Sequence, residues 1–213
     1  MHLTSPELGD CRSNRAWPSL IGPLLIALAG APLLNGCAAL VIGGAAVGTA
    51  VVVHDRRDYM DIVKDQEIEI SAYSALGKDP LVKGSRISVT SYNRKVLLTG
   101  QARSPEIAAR ATELVSGIPK VDLVIDEVAI GPKVSATRMS QDTWITSQAK
   151  LALAKVKSPD FDPTRVKVVT EDSVVFLMGL VSPEEGDAAA EQVRFVPGVS
   201  RVVKLFEYRE PQG

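Results

Sequence analysis

Residues 96–100 of this chain read Val-Leu-Leu-Thr-Gly, and 79 positions later residues 175–179 read Val-Phe-Leu-Met-Gly. The same offset of 79 relates Arg86-Ile87-Ser88-Val89 to Arg165-Val166-Lys167-Val168. An offset of 78 relates Ser104-Pro105-Glu106 to Ser182-Pro183-Glu184, and Ile118-Pro119-Lys120-Val121 to Val196-Pro197-Gly198-Val199. Several blocks kept in one order, with small insertions between them, mark a duplicated structural unit. Such a chain must fold as two copies of one architecture. Each copy has about 70–75 residues, near the lower limit for a self-sufficient core, so the two should support one another.

Both copies predict the same order of elements. A helix comes first: Ile68, Ala72, Ala75 and Leu76 recur at helical spacing, as do Ile145, Ala149, Ala152 and Leu153. A strand follows, with Ile87/Val89 or Val166/Val168 on one face, then a polar turn at Asn93-Arg94 or Glu171-Asp172 and a second strand. Gly100 and Gly179 are expected to end those second strands where the chain bends. Ser104 and Ser182 are expected to cap a second helix with proline at its first position, and a last strand covers 121–130 or 199–208. The hairpin pairs antiparallel and the strand–helix–strand return is parallel and right-handed. The fold class is therefore α+β: two tandem αββαβ units, each a three-stranded mixed sheet packed with two helices. The first is expected over residues 59–130 and the second over 141–209, joined by a polar linker at 131–140.

Ahead of the repeat, Arg12 and Arg15 precede an apolar stretch from about Leu20 that ends at Leu33-Leu34-Asn35-Gly36-Cys37. A basic start, an apolar core and a small-residue exit describe a secretory signal over 1–36. With cysteine next, the pattern resembles the lipobox of bacterial lipoproteins, which implies removal of 1–36 and acylation of Cys37 by palmitate-like chains. Each buried methylene adds about 0.8 kcal/mol, so several chains hold a protein on a bilayer without spanning it. Residue 38 is alanine rather than aspartate, which by the same resemblance favours the outer membrane, facing the periplasm. The alternative is an apolar anchor with a buried free cysteine. The 16 residues 38–53 are apolar but short of the ~20 a membrane helix needs, and glycines at 43, 44 and 48 weaken a helix. Residues 37–58 read as a lipidated N-terminus and flexible apolar tether; a transmembrane anchor is the competing reading.

From residue 37 onward there are 22 Lys+Arg and 23 Asp+Glu, too balanced for a nucleic-acid-binding surface. Cys37 is the sole cysteine of that part, and the only histidines are His2 and His54, so neither a disulfide nor a metal site is expected. No nucleophile elbow, cysteine–histidine pair or phosphate-binding glycine loop occurs. Asp126 and Glu127 adjoin on a strand and point to opposite faces, a poor arrangement for sharing a proton. No enzymatic activity and no cofactor are expected.

The Val-x-Leu-x-Gly strand, Ser-Pro-Glu helix start and Pro-x-Val return make each unit resemble the BON domain. Two such units behind a lipobox resemble the dual-BON lipoproteins of the DolP type. The runs at 93–101, 142–146 and 175–181 carry most of the likeness. The resemblance implies a non-enzymatic protein that binds anionic phospholipid, phosphatidylglycerol or similar, through its second domain and supports outer-membrane integrity.

The duplication is also an internal control. A residue the fold requires should appear in both units, whereas a functional one can appear in one. At an offset of 77 the core positions match, but Trp144 meets Glu67, Leu151 meets Ser74 and Lys150 meets Tyr73. Trp144 and Leu151 are two helical turns apart, so they share a face displaced from the core stripe, which Gln148 and Lys155 should continue. Tryptophan suits the headgroup layer, and Lys150, Lys155 and Lys157 each add about 1 kcal/mol near an anionic surface. Trp144, Ser147, Gln148, Lys150, Leu151 and Lys155 form the candidate lipid-binding set, and the resemblance places a lipid-contacting tryptophan at this helix position. Asp160 and Asp162 make the surface less basic than in relatives. Trp144 as glue between the two units is the structural alternative. A protein-interaction adaptor for an outer-membrane assembly machine is the functional one.

Overall fold

The computed structural model describes residues 59–158 and 160–209. The signal segment 1–36, the acylation site Cys37 and the tether 37–58 lie outside these residues.

The first unit runs α1 (Tyr59–Lys78), β1 (Arg86–Tyr92), β2 (Lys95–Ala102), α2 (Pro105–Ser116) and β3 (Leu123–Ile130). The second runs α3 (Ala136–Leu153), a single 3-10 turn (Pro163–Arg165), β4 (Val166–Glu171), β5 (Val174–Val181), α4 (Pro183–Arg194) and β6 (Arg201–Tyr208). Each unit forms one three-stranded sheet with its middle strand antiparallel to the first and parallel to the third. The αββαβ order holds in both.

On the helix-facing side of the first sheet, Ile68, Ala72 and Leu76 of α1 pack on Val89, Val96, Leu98, Ala111 and Val115. The second unit repeats this with Ile145, Ala149, Leu153, Val168, Val175, Leu177, Ala189 and Val193. A third apolar cluster draws on both units: Tyr92 and Leu97 meet Phe176 and Met178, flanked by Ile125, Val169, Val203 and Leu205. The two sheets therefore pack face to face, with one pair of helices on each outer side. This explains the continuous apolar run of β2 and β5. A middle strand covered on both faces has no polar side to show. All the residues of the three clusters lie between Ile68 and Phe206, so the segment 59–209 holds its own folding cores.

Five local features differ from the sequence reading. The second hairpin turns at Asp172-Ser173, with Glu171 closing β4. All four turn residues have positive φ (Asn93 48°, Arg94 63°, Asp172 46°, Ser173 63°), the backbone of the tight hairpin turn that matches strand twist. A buried carboxylate offsets that strain in each unit. Asp65 accepts from the N–H groups of Asn93 and Arg94, both at 2.8 Å, and Asp142 accepts from Asp172 at 3.0 Å and Ser173 at 2.9 Å.

Second, Gly100 and Gly179 lie inside their strands. Gly100 has φ +111°, and a Cβ there would sit 2.0 Å from the Arg86 carbonyl oxygen. Close approach of the neighbouring strand, not a bend, requires this glycine. Third, Ser182 makes a full capping box with Glu185, whereas Ser104 gives its helix no side-chain cap. The Ser104 hydroxyl bonds instead to Glu106, whose carboxyl it holds below the usual range. Fourth, α3 begins at Ala136 because Ser135 accepts from Arg138 N–H at 3.2 Å, so the helix starts inside the expected 131–140 linker. Fifth, both last strands start two residues later than expected, at Leu123 and Arg201.

Candidate functional site

Helix α3 buries Asp142, Ile145, Ala149 and Leu153 along one stripe. Trp144 and Leu151 stand off that stripe, 50% and 59% exposed. Neither belongs to the cluster between the sheets, so Trp144 is not glue between the units. Ser147 and Lys150 are exposed beside them and Gln148 is half-buried between them. The Ser147 hydroxyl donates to the Thr143 carbonyl at 3.0 Å, which leaves its oxygen lone pairs outward. Lys155 does not continue the helix face. The helix ends at Leu153, and Lys155 sits in the turn that follows, its N–H bonded to the Ala152 carbonyl at 2.9 Å. It still projects to solvent at the same end of the helix as Leu151. Among the described residues, Lys150, Lys155 and Lys157 make no ion pair.

The sister helix is built differently at the matching place. Glu67, the counterpart of Trp144, pairs with Lys120 Nζ at 2.5 Å, reaching across from the loop between α2 and β3. In the second unit that loop residue is Gly198 (φ +87°), and a Cβ there would lie 3.1 Å from Ile145 Cδ1. One unit thus closes the helix–loop junction with an ion pair. The other has tryptophan and glycine at those two positions. The sequence reading found the Glu67/Trp144 exchange but missed its partner, though Pro-Lys-Val against Pro-Gly-Val stands in the same aligned block.

A crevice of about 340 Å³ opens at the rim of the sheet-to-sheet interface, lined by Asp126, Glu127, Glu171, Asp172 and Arg201 among others. Its acidic groups are already engaged. Asp126 accepts from Thr112 at 2.9 Å, and Glu127 pairs with Arg201 at 3.5 Å. Glu171 pairs with Arg86 at 2.6 Å and Asp172 with Arg138 at 2.7 Å. Asp126 and Glu127 do point to opposite faces of β3. Among the described residues no group of His, Cys, Asp or Glu is placed to hold a metal ion, and no helix is long and apolar enough to cross a membrane.

Comparison with known proteins agrees with this architecture. The BON domain model matches twice, over residues 64–132 and 141–210. The chain is 36% identical over 189 residues to the outer membrane lipoprotein DolP of Haemophilus influenzae, covering 87% of this chain and 95% of that protein. It is 40% identical over 150 residues to a 21 kDa hemolysin of Actinobacillus pleuropneumoniae, covering 68% and 75%. It is 32% identical over 149 residues to the osmotically-inducible protein Y of Escherichia coli, covering 68% and 71%.

Proposed function

The chain belongs to the BON-domain family, in its tandem form of the DolP type, and on that premise we propose that it is an envelope lipoprotein that binds anionic phospholipid through its second unit. Acyl chains on Cys37 hold it at the periplasmic face of the outer membrane. Helix α3 then lays Trp144 and Leu151 into the headgroup layer, with Lys150 and Lys155 facing the phosphates. Binding of this kind contributes to the integrity of the outer membrane without catalysis.

One observation carries the reading. A large aromatic and a leucine are half or more exposed on α3, at positions where the duplicated helix carries Glu67 and Ser74 on the same backbone. The fold does not need them. An exposed indole is amphipathic, with an apolar body and one N–H donor, and the headgroup boundary satisfies both. Three unpaired lysines nearby add attraction to a negative surface.

The test is a titration of the segment 55–213 with phosphatidylglycerol and phosphatidylcholine vesicles, followed by Trp144 emission and residue-resolved NMR. Wild type should bind phosphatidylglycerol more tightly, with shifts centred on α3. Trp144→Glu should retain the melting temperature and lose about 100-fold or more in affinity, since each 1.4 kcal/mol is tenfold. Wild-type affinity in a folded Trp144→Glu protein would overturn the site. Wild type that ignores vesicles yet captures an assembly protein through α3 would favour an adaptor.

A further inference from the structure

The loop after α4 carries a second aromatic that the fold does not use. Phe195, the C-cap of α4, is 68% exposed. The Arg194 guanidinium lies over its ring, 4.6 Å from the centroid. In the first unit the two matching positions, 78 residues earlier, are Ser116 and Gly117. Arg-Phe therefore replaces Ser-Gly at one helix end in an otherwise duplicated fold. By the criterion that singles out Trp144, this pair is surplus to the architecture.

Its place in the fold gives it a partner. The loop that starts at Phe195 leads three residues on to Gly198, where an added Cβ would meet the side chain of Ile145 of α3, the residue next to Trp144 in sequence, at 3.1 Å. The sister unit shows the same closeness directly, because Lys120 of that loop reaches Glu67 of α1. Replacing Lys120 by glycine removes the side chain that would otherwise stand between loop and helix. Each of the two elements that meet there carries an exposed aromatic: Trp144, next in sequence to Ile145, on α3, and Phe195, with Arg194 over its ring, at the start of the loop.

We propose that Phe195 and Arg194 form a second contact with the anionic phospholipid surface, so that the unit grips the membrane by a helix and a loop together. This rests on the lipid-binding reading of α3 and extends it to a separate element. The chemistry fits the boundary layer. A phenyl ring has no polar group to keep in water, so it enters the acyl region below the indole. The guanidinium above it forks onto a phosphate oxygen pair. Arg194 also pairs with Glu191 at 3.2 Å, but both groups are more than half exposed, and such a surface pair exchanges readily for phosphate. Two contacts on different elements fix the orientation of the unit on the bilayer, which a single helix face leaves free to roll.

The experiment uses the segment 55–213, whose cores are complete, with phosphatidylglycerol and phosphatidylcholine vesicles. Phe195→Gly installs the sister residue and should keep the melting temperature while weakening binding to phosphatidylglycerol about tenfold, the scale of losing one large apolar side chain. Arg194→Ser should weaken phosphatidylglycerol binding more than phosphatidylcholine binding. A third chain, Trp144→Phe with Phe195→Trp, places the sole tryptophan on the loop, and its emission should move to the blue on adding phosphatidylglycerol vesicles. If Phe195→Gly binds like wild type, or the loop tryptophan stays at its aqueous wavelength, while Trp144→Glu abolishes binding, the second contact is wrong and the α3 site stands. If Trp144→Glu also binds like wild type, the α3 reading fails and takes this one with it.

Discussion

Lys120 and Glu67 form an ion pair that the second unit replaces with Gly198 and Trp144, so one junction of a duplicated fold exists in a closed polar form and an open aromatic form. Both partners of the pair are at least half exposed, and surface pairs of this kind contribute about 0–1 kcal/mol. Stability is therefore not what distinguishes the two forms.

A rebuilt pair separates the role of the aromatic from that of charge. Trp144→Glu combined with Gly198→Lys adds no net charge, and Lys120 shows that a lysine is accepted there at φ 76°. The double variant should fold, melt within a few degrees of wild type, and still fail to bind phosphatidylglycerol vesicles. Restored binding would mean that Trp144→Glu acts by repulsion alone and that the indole is dispensable.

Gly100 and Gly179 are equivalent in the repeat but not in tolerance. At Gly100 a methyl group would meet the Arg86 carbonyl at 2.0 Å with φ at +111°. Strain and overpacking together should cost about 3–5 kcal/mol in Gly100→Ala. At Gly179 the nearest atom is Arg165 O at 2.9 Å and φ is not positive, so Gly179→Ala should cost about 1–2 kcal/mol. Urea denaturation of the two variants checks the ordering, which reversed values would contradict.

The duplicated element order is legible in the sequence because each helix keeps its core spacing and each strand its apolar residues, and the internal alignment supplies register. The mutual packing of the sheets is not. The run Val175-Phe176-Leu177-Met178 reads as a buried strand whatever covers its outer face, and nothing local says that the cover is the other sheet. The Asp172-Ser173 turn was equally hidden, since the carboxylate that stabilises it comes from Asp142, 30 residues earlier. The Asp65/Asp142 match at an offset of 77 was visible, but an aspartate in a helix reads as solvated until its burial is seen. Of the candidate site, the exchange at Trp144 was readable. The place of the loop at Gly198 was not, because only the fold brings that glycine against Ile145 of α3.

Asp142→Asn tests the turn carboxylates. An amide offers one acceptor oxygen where the carboxylate offers two, so either the Asp172 or the Ser173 N–H loses its partner. Leaving one partly buried donor unpaired costs about 1–3 kcal/mol. Hydrogen exchange should quicken at those two amides and leave Asn93 and Arg94 of the other hairpin unchanged. Asp65→Asn should do the converse. It should cost somewhat more, because Asp65 also accepts from Ser91 Oγ at 2.7 Å. Equal exchange at all four amides in either variant would sink this account.

The interface between the units keeps a trace of two-fold symmetry, and its polar half should set how cooperatively the protein unfolds. Tyr92 and Glu171 are equivalent residues, as are Gln101 and Leu180, each pair 79 apart. Tyr92 Oη accepts from Leu180 N–H at 3.0 Å, and Glu171 accepts from Gln101 Nε2 at 2.7 Å, so the same two positions meet twice across the interface with different chemistry. Glu171 also pairs with Arg86 at 2.6 Å, with side-chain exposures of 9% and 25%. Removing the carboxylate in Glu171→Ala takes the acceptor from the Gln101 amide and leaves the Arg86 guanidinium only its longer bond to Gln101 Oε1 at 3.2 Å. The cost should be about 2–4 kcal/mol, a little under that of breaking a fully buried pair because Arg86 is partly wet. Since each unit has its own helix-side core, the loss should fall on the coupling between them. Trp144 reports on the second unit alone, while circular dichroism reports on both. The two signals should coincide in wild-type urea unfolding and separate in Glu171→Ala. Tyr92→Phe, which removes one neutral acceptor, should cost about 1 kcal/mol and leave the transitions together. Coincident transitions in Glu171→Ala with a stability change below about 0.5 kcal/mol would show that apolar contact alone joins the units.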